Sequence, residues 1–126
     1  MRLSTLLLRV GIVLLLVGLC IGIGMGMSQD FRLRDTHAHI NLVGFVLMFV
    51  TGLYYRMVPA AETLTLAKAH AYLHIVAAIV LPTGIAALTL YGPRYEVIAI
   101  VGAFIFLAAM ISFAVVVYRT SGPVSA

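Results

Sequence analysis

Any chemistry in this sequence rests on its four histidines, His37, His39, His70 and His74. The first two stand in Asp35-Thr-His-Ala-His-Ile-Asn-Leu-Val-Gly44, at the mouth of an otherwise apolar stretch. Ionisable groups at such a place are costly to keep and point to function by default. A helix turns about 100° per residue, so His37 and His39 project about 200° apart. One helix thus offers an imidazole to each side. His37 falls in a stripe with Asn41, Gly44, Met48, Thr51, Gly52 and Tyr55, the small and polar signature of a packed membrane-helix face. His39 lies opposite, with Val43, Val46, Val50 and Leu53. An imidazole beside a β-branched wall suits a flat apolar cofactor, and it equally suits a ring at headgroup level in contact with water. His70 and His74 are four apart and share a helix face. They can chelate a metal, supply one axial ligand and one supporting group, or hydrogen-bond between helices as polar glue.

The elements that must position these residues follow from composition. Of 126 residues 63% are hydrophobic and 10% charged, and the mean hydropathy is +1.17. A soluble domain of this size has too little interior to hide that much apolar surface, so the surrounding solvent is the lipid bilayer. Eight Lys/Arg against four Asp/Glu read as an orientation signal and not as a nucleic-acid patch. Cys20, alone in mid-span, says nothing about redox compartment.

Four spans are expected, at about 5–27, 36–58, 62–90 and 95–118, giving one all-α domain, an integral membrane four-helix up-down bundle. The first is read as a retained span, because its apolar core is longer than a signal-peptide core and no small-x-small cleavage pattern closes it. Leu19 also rules out a lipoprotein box before Cys20. Gly18, Gly22 and Gly26 form a ridge that lets another helix approach closely, including one from a second protomer. Pro59 and Tyr91-Gly92-Pro93-Arg94 mark turns, and Pro82-Thr83-Gly84 a kink. With both termini cytoplasmic, the inner side carries Arg2, Arg9, Arg56, Lys68 and Arg119 against Arg32, Arg34 and Arg94 outside, the direction of the positive-inside bias.

Counting depth from Pro59 puts His39 about 28 Å and His74 about 18 Å above the turn. With axes about 8–10 Å apart, their Cα atoms come near 14 Å, within the span of two imidazoles on one metal centre. His37 and His70 differ by about 19 Å and cannot share a metal within one chain. The same count excludes a compact four-histidine zinc or copper site. His37-Ala38-His39 can still take copper with help from Asp35.

His37-Ala38-His39, Gly44, Gly52-Leu53-Tyr54 and Val58-Pro59 together resemble the tenth helix of the catalytic subunit of cbb-type haem–copper oxidases and nitric oxide reductases. Lys68-Ala69-His70-Ala71-Tyr72-Leu73 resembles the start of that family's next helix. The resemblance covers about residues 35–90. It implies that His37 matches a high-spin haem ligand and His39 a low-spin one, with Gly44, Gly52 and Pro59 structural and His70 not an iron ligand. The family's helix with the other low-spin ligand and its copper or non-haem iron histidines have no counterpart here. Oxygen or nitric oxide reduction by this chain alone is therefore not expected.

The expectation is a bacterial inner-membrane haem b protein for electron transfer or small-gas binding. His39 is the axial ligand, His74 its partner, and His37 a second or alternative ligand. Arg32 and Arg34 are placed to pair with haem propionates. A haem-free scaffold or assembly protein and a copper-binding protein are the rivals. A homo-oligomer is expected as partner, and no nucleic acid.

Overall fold

The computed structural model describes residues 1–123. In hydrocarbon each backbone N–H and C=O must be satisfied within its own segment, and these apolar stretches form helices for that reason. They are α1 (Leu3–Ser28), α2 (Arg34–Met57), the short α3 (Pro59–Glu62), α4 (Thr65–Tyr91) and α5 (Glu96–Thr120). Four of them, α1, α2, α4 and α5 (with the 3₁₀ turn Pro93–Tyr95 before it), are long and apolar enough to cross a membrane. The protein is an all-α bundle of the integral membrane type, and no strand occurs among the described residues.

One boundary and one stretch of helix differ from expectation. The third span begins at Thr65 and not at Glu62, because Pro59 opens a separate turn of helix and Leu64 is extended before α4 starts. Within α2, Ile40–Val46 is π-helical. There the Leu47 N–H reaches back to the Leu42 carbonyl, so it does not serve the carbonyl of Val43. Val43, expected on the outer face with Val46, Val50 and Leu53, is instead buried, while those three are exposed. The expected packed stripe from His37 to Tyr55 does face inward, with Gly44, Met48, Thr51, Gly52 and Tyr55 buried.

The helices pair as two hairpins. α1 lies on α2 through glycines: a Cβ at Gly22 would stand 2.8 Å from the His37 ring, and one at Gly52 3.2 Å from Leu7 and Leu8. Asn41 fills the space beside Gly18, while Gly24 and Gly26 meet nothing. The Gly18 and Gly22 part of the ridge is thus consumed inside the chain, and Gly26 is not. α4 and α5 approach more tightly still, since a Cβ at Gly84 would collide with the Ile98–Ala99 backbone and one at Gly102 with Leu81. Pro82 sits inside α4, which runs on through it.

One end of the bundle is tied by Glu62, which accepts a 2.7 Å hydrogen bond from the Ser4 N–H and pairs with Arg2 at 3.3 Å. A carboxylate at a helix N-terminus meets both the unpaired N–H groups and the positive end of the dipole. Tyr54 Oη donates to Thr120 Oγ1, which donates onward to the Val116 carbonyl. These bonds bring the start of α1, the α2–α4 turn and the end of α5 to one side. At the other end Gly92, at φ +111°, turns the chain into α5.

Gly84→Leu should lower the stability of the purified protein by about 1–3 kcal/mol or more, because it overpacks a backbone contact. Gly26→Leu should be close to neutral. Unfolding in mixed detergent measures both, and equal effects would remove the distinction drawn between the two glycines.

Candidate functional site

Across the interface between the hairpins runs a buried chain of hydrogen bonds. Tyr55 Oη lies 2.9 Å from His70 Nδ1, His70 Nε2 lies 3.2 Å from His74 Nδ1, and His74 Nε2 lies 2.8 Å from the Val43 carbonyl. Tyr55, His70 and His74 are all fully buried. Phe113 packs on Tyr55 and His70, and Phe106 packs on His74.

The last acceptor fixes the direction of the whole chain. A carbonyl only accepts, so His74 Nε2 carries the proton and, in a neutral ring, Nδ1 is the acceptor. His70 Nε2–H therefore donates to it, leaving His70 Nδ1 to accept from Tyr55 Oη–H. Both rings are neutral Nε2–H tautomers, and every polar atom in the chain has a partner. The arrangement depends on the π-helical stretch, which opens the Val43 carbonyl to His74. In a bilayer core such a carbonyl is tolerated only with another donor.

In the His39–His74 pair expected from the depth count, His74 is hydrogen-bonded elsewhere in this structure. His74 meets Val43, one turn deeper than His39, and both of its ring nitrogens are engaged. It has no lone pair free for iron. The depth count assumed a regular helix, and the π-helical stretch turns a backbone carbonyl toward His74 instead.

His37 is also engaged. Its Nδ1–H donates to the Gly18 carbonyl at 2.7 Å, and Asn41 Nδ2 donates to its Nε2 at 3.3 Å. Its ring packs against Gly22, so it serves the α1–α2 contact. His39 differs from the other three. Its Nδ1–H donates to the Asp35 carbonyl at 2.7 Å, and the half-buried ring makes no bond through Nε2. Leu42, Val46, Val50 and Leu53 are exposed further along α2.

Arg32 is forked onto Asp30 at 2.8–3.1 Å, and these side-chain hydrogen bonds hold the Asp30 carboxyl below its ordinary range. Its charge is already matched. Arg34, exposed at the start of α2, makes no ion pair among the described residues. No three His, Cys, Asp or Glu side chains converge on a possible metal position among the described residues.

No protein-family model, curated protein or solved structure matches the chain. A functional reading thus rests on the residues themselves. Sequence reasoning did not pair Tyr55 with His70, nor place Phe106 and Phe113 around the histidines. The available signal was that Tyr55 lies two residues before the end of α2 and His70 five residues into α4, similar depths on the two sides of the Pro59 turn.

Tyr55→Phe keeps the ring packed on Phe113 but leaves His70 Nδ1 buried without a donor. It should cost about 1–3 kcal/mol, and Tyr54→Phe, at a half-buried site, about 0.5–1.5 kcal/mol. Detergent unfolding that ranks them the other way would show that the chain of bonds contributes little.

Proposed function

We propose that this is a membrane haem b protein in which His39 supplies the axial imidazole. The observation that supports it most is the bonding of that ring. A backbone-anchored Nδ1–H fixes the tautomer and orientation, and it leaves a bare Nε2 lone pair, the arrangement that metal-binding histidines adopt. The exposed apolar side chains beyond it on α2 offer a surface for a porphyrin face, and Arg34 has its charge free for a propionate. Haem iron held there would supply one-electron chemistry or an open site for a small gas. Resemblance of the His-x-His segment to the haem–copper oxidase helix, where the second histidine is a low-spin ligand, agrees with the choice of His39. Arg32, held by Asp30, and His37, His70 and His74, held in hydrogen bonds, have no direct part in this reading.

Within one protomer only His39 presents a free ring nitrogen, so the haem would be five-coordinate. That favours gas binding over bis-imidazole electron transfer. We place the protein in a bacterial inner membrane with both termini cytoplasmic, from the charge bias of its loops. A homo-oligomer fits the exposed apolar faces.

The second reading is a haem-free scaffold. It is favoured by one observation: three of the four histidines have both ring nitrogens hydrogen-bonded, one of them in each case to a neighbouring helix. Copper binding by His37 and His39 has less support, because His37 has no idle nitrogen.

Protein expressed with added haem should show a b-type reduced-minus-oxidised spectrum and bind carbon monoxide. His39→Ala should abolish both, whereas His37→Ala and His74→Ala should retain pigment if they fold. A wild-type protein that folds but never takes up haem would establish the scaffold reading instead. A six-coordinate wild-type spectrum would show that a second ligand comes from outside the protomer. For topology, a reporter fused after Arg119 should give a cytoplasmic signal and one after Arg34 a periplasmic signal. The reverse pattern would invert the orientation.

A further inference from the structure

Tyr54 and Tyr55 are neighbours in α2, yet their phenols meet different chemistry. Tyr54 Oη lies 2.8 Å from the Thr120 hydroxyl, which gives its own proton to the Val116 carbonyl, so its partner is no base. Tyr55 Oη–H points at His70 Nδ1 across 2.9 Å, the lone pair of a neutral imidazole. Of the six tyrosines, Tyr55 is the one that is fully buried, and the other five are exposed or half-buried.

Burial separates what the electron and the proton of this phenol can do. An electron leaves a buried ring by tunnelling, whereas a proton needs an acceptor within hydrogen-bond distance. A phenol that has lost an electron is a strong acid, and as a radical cation in an apolar interior it would be an uncompensated charge. His70 removes that cost by taking the proton. The imidazolium so formed is already provided for. Its Nε2–H points at His74 Nδ1 across 3.2 Å, and the His74 Nε2–H is held by the Val43 carbonyl at 2.8 Å. Bonds of this kind strengthen when the donor is charged. Phe113 covers both partners, with its ring centre 5.9 Å from that of Tyr55 and 4.9 Å from that of His70. The bonds that tie the helices therefore also supply what water supplies to a phenol in solution.

We propose that Tyr55 is a reversible one-electron redox site whose proton is kept by His70. Tyr55 gives one electron to a metal-centred, one-electron oxidant outside the chain, and that oxidant is reduced. The Oη–H bond breaks and an N–H bond forms at His70 Nδ1, which leaves a neutral tyrosyl radical beside an imidazolium. On reduction the electron returns and the same proton goes back to Oη. Only the electron crosses the boundary of the protein. The step uses neither His39 nor haem.

The test is voltammetry of the full chain in detergent micelles, expressed without added haem. With Tyr54→Phe, Tyr72→Phe, Tyr91→Phe, Tyr95→Phe and Tyr118→Phe in place, every tyrosyl signal belongs to Tyr55. A reversible one-electron wave is expected, at a potential that does not move between neutral and mildly alkaline pH, because the proton stays inside. A tyrosine that releases its proton to water becomes easier to oxidise as pH rises. A wave that shifts in that way, an irreversible wave or no wave would each overturn the proposal. Adding His70→Phe should slow the oxidation of Tyr55 by about a hundredfold or more, the scale on which a positioned proton acceptor acts. An unchanged rate would show that the bond to His70 is structural only. If His70→Phe does not fold, the pH comparison still decides, since it keeps the chain of bonds intact. If the fivefold variant does not fold, the same comparison is made on the reversible part of the wild-type wave. No haem is present in any arm, so this proposal and the haem reading can fail separately.

Discussion

The bundle depends on one backbone carbonyl. The π-helical stretch of α2 leaves Val43 O without the Leu47 N–H, at a level where water is not at hand. His74 fills the gap from α4, His70 fills His74, and Tyr55 on α2 fills His70, so the chain leaves α2 and returns to it. Because the terminal group can only accept, each member has a single role in the neutral state. The same bonds set the register between the two hairpins: sliding α4 by one turn would strand a carbonyl, two imidazoles and a phenol at once. Interhelical hydrogen bonds in membranes are modest singly, about 0.6–2 kcal/mol, but here each is needed for the next.

Much of this was legible in the sequence. Four spans followed from hydropathy, and the packed stripe of α2 followed from spacing, because small and polar residues mark helix contacts in lipid. The exceptions have local causes. Val43 was placed outward because the count assumed 3.6 residues per turn, which fails through Ile40–Val46. The start of α4 was misplaced because Pro59 opens a turn of its own. Gly84 read as punctuation beside Pro82, yet its role is to let the α5 backbone close in. The glycine ridge of α1 was recognisable, but nothing in its spacing told that Asn41 and His37 of the same chain would occupy it. Partners across an interface depend on register, which periodicity along one helix does not carry.

A division of labour among the histidines follows. His37, His70 and His74 are spent on helix packing, and each is placed by two hydrogen bonds. His39 has one bond, made to its own helix, and its second nitrogen is idle. Two imidazoles in a His-x-His pair thus have opposite uses, and their separation by about 200° is what makes this possible. A group bound at His39 would not have to disturb the buried chain, and loss of that group would not unravel the fold.

Glu62 bears on how the chain is made. The Ser4 N–H that it accepts is 58 residues earlier in the sequence. At about 5–20 residues per second of synthesis, the first span waits roughly 3–12 s before its cap exists. During that interval α1 has an uncapped amino end, and its glycine face has no Asn41 or His37 to fill it. The first span therefore reaches its final state only once the second has crossed and turned, which makes the α1–α2 hairpin, and not the single helix, the smallest unit that can insert in finished form.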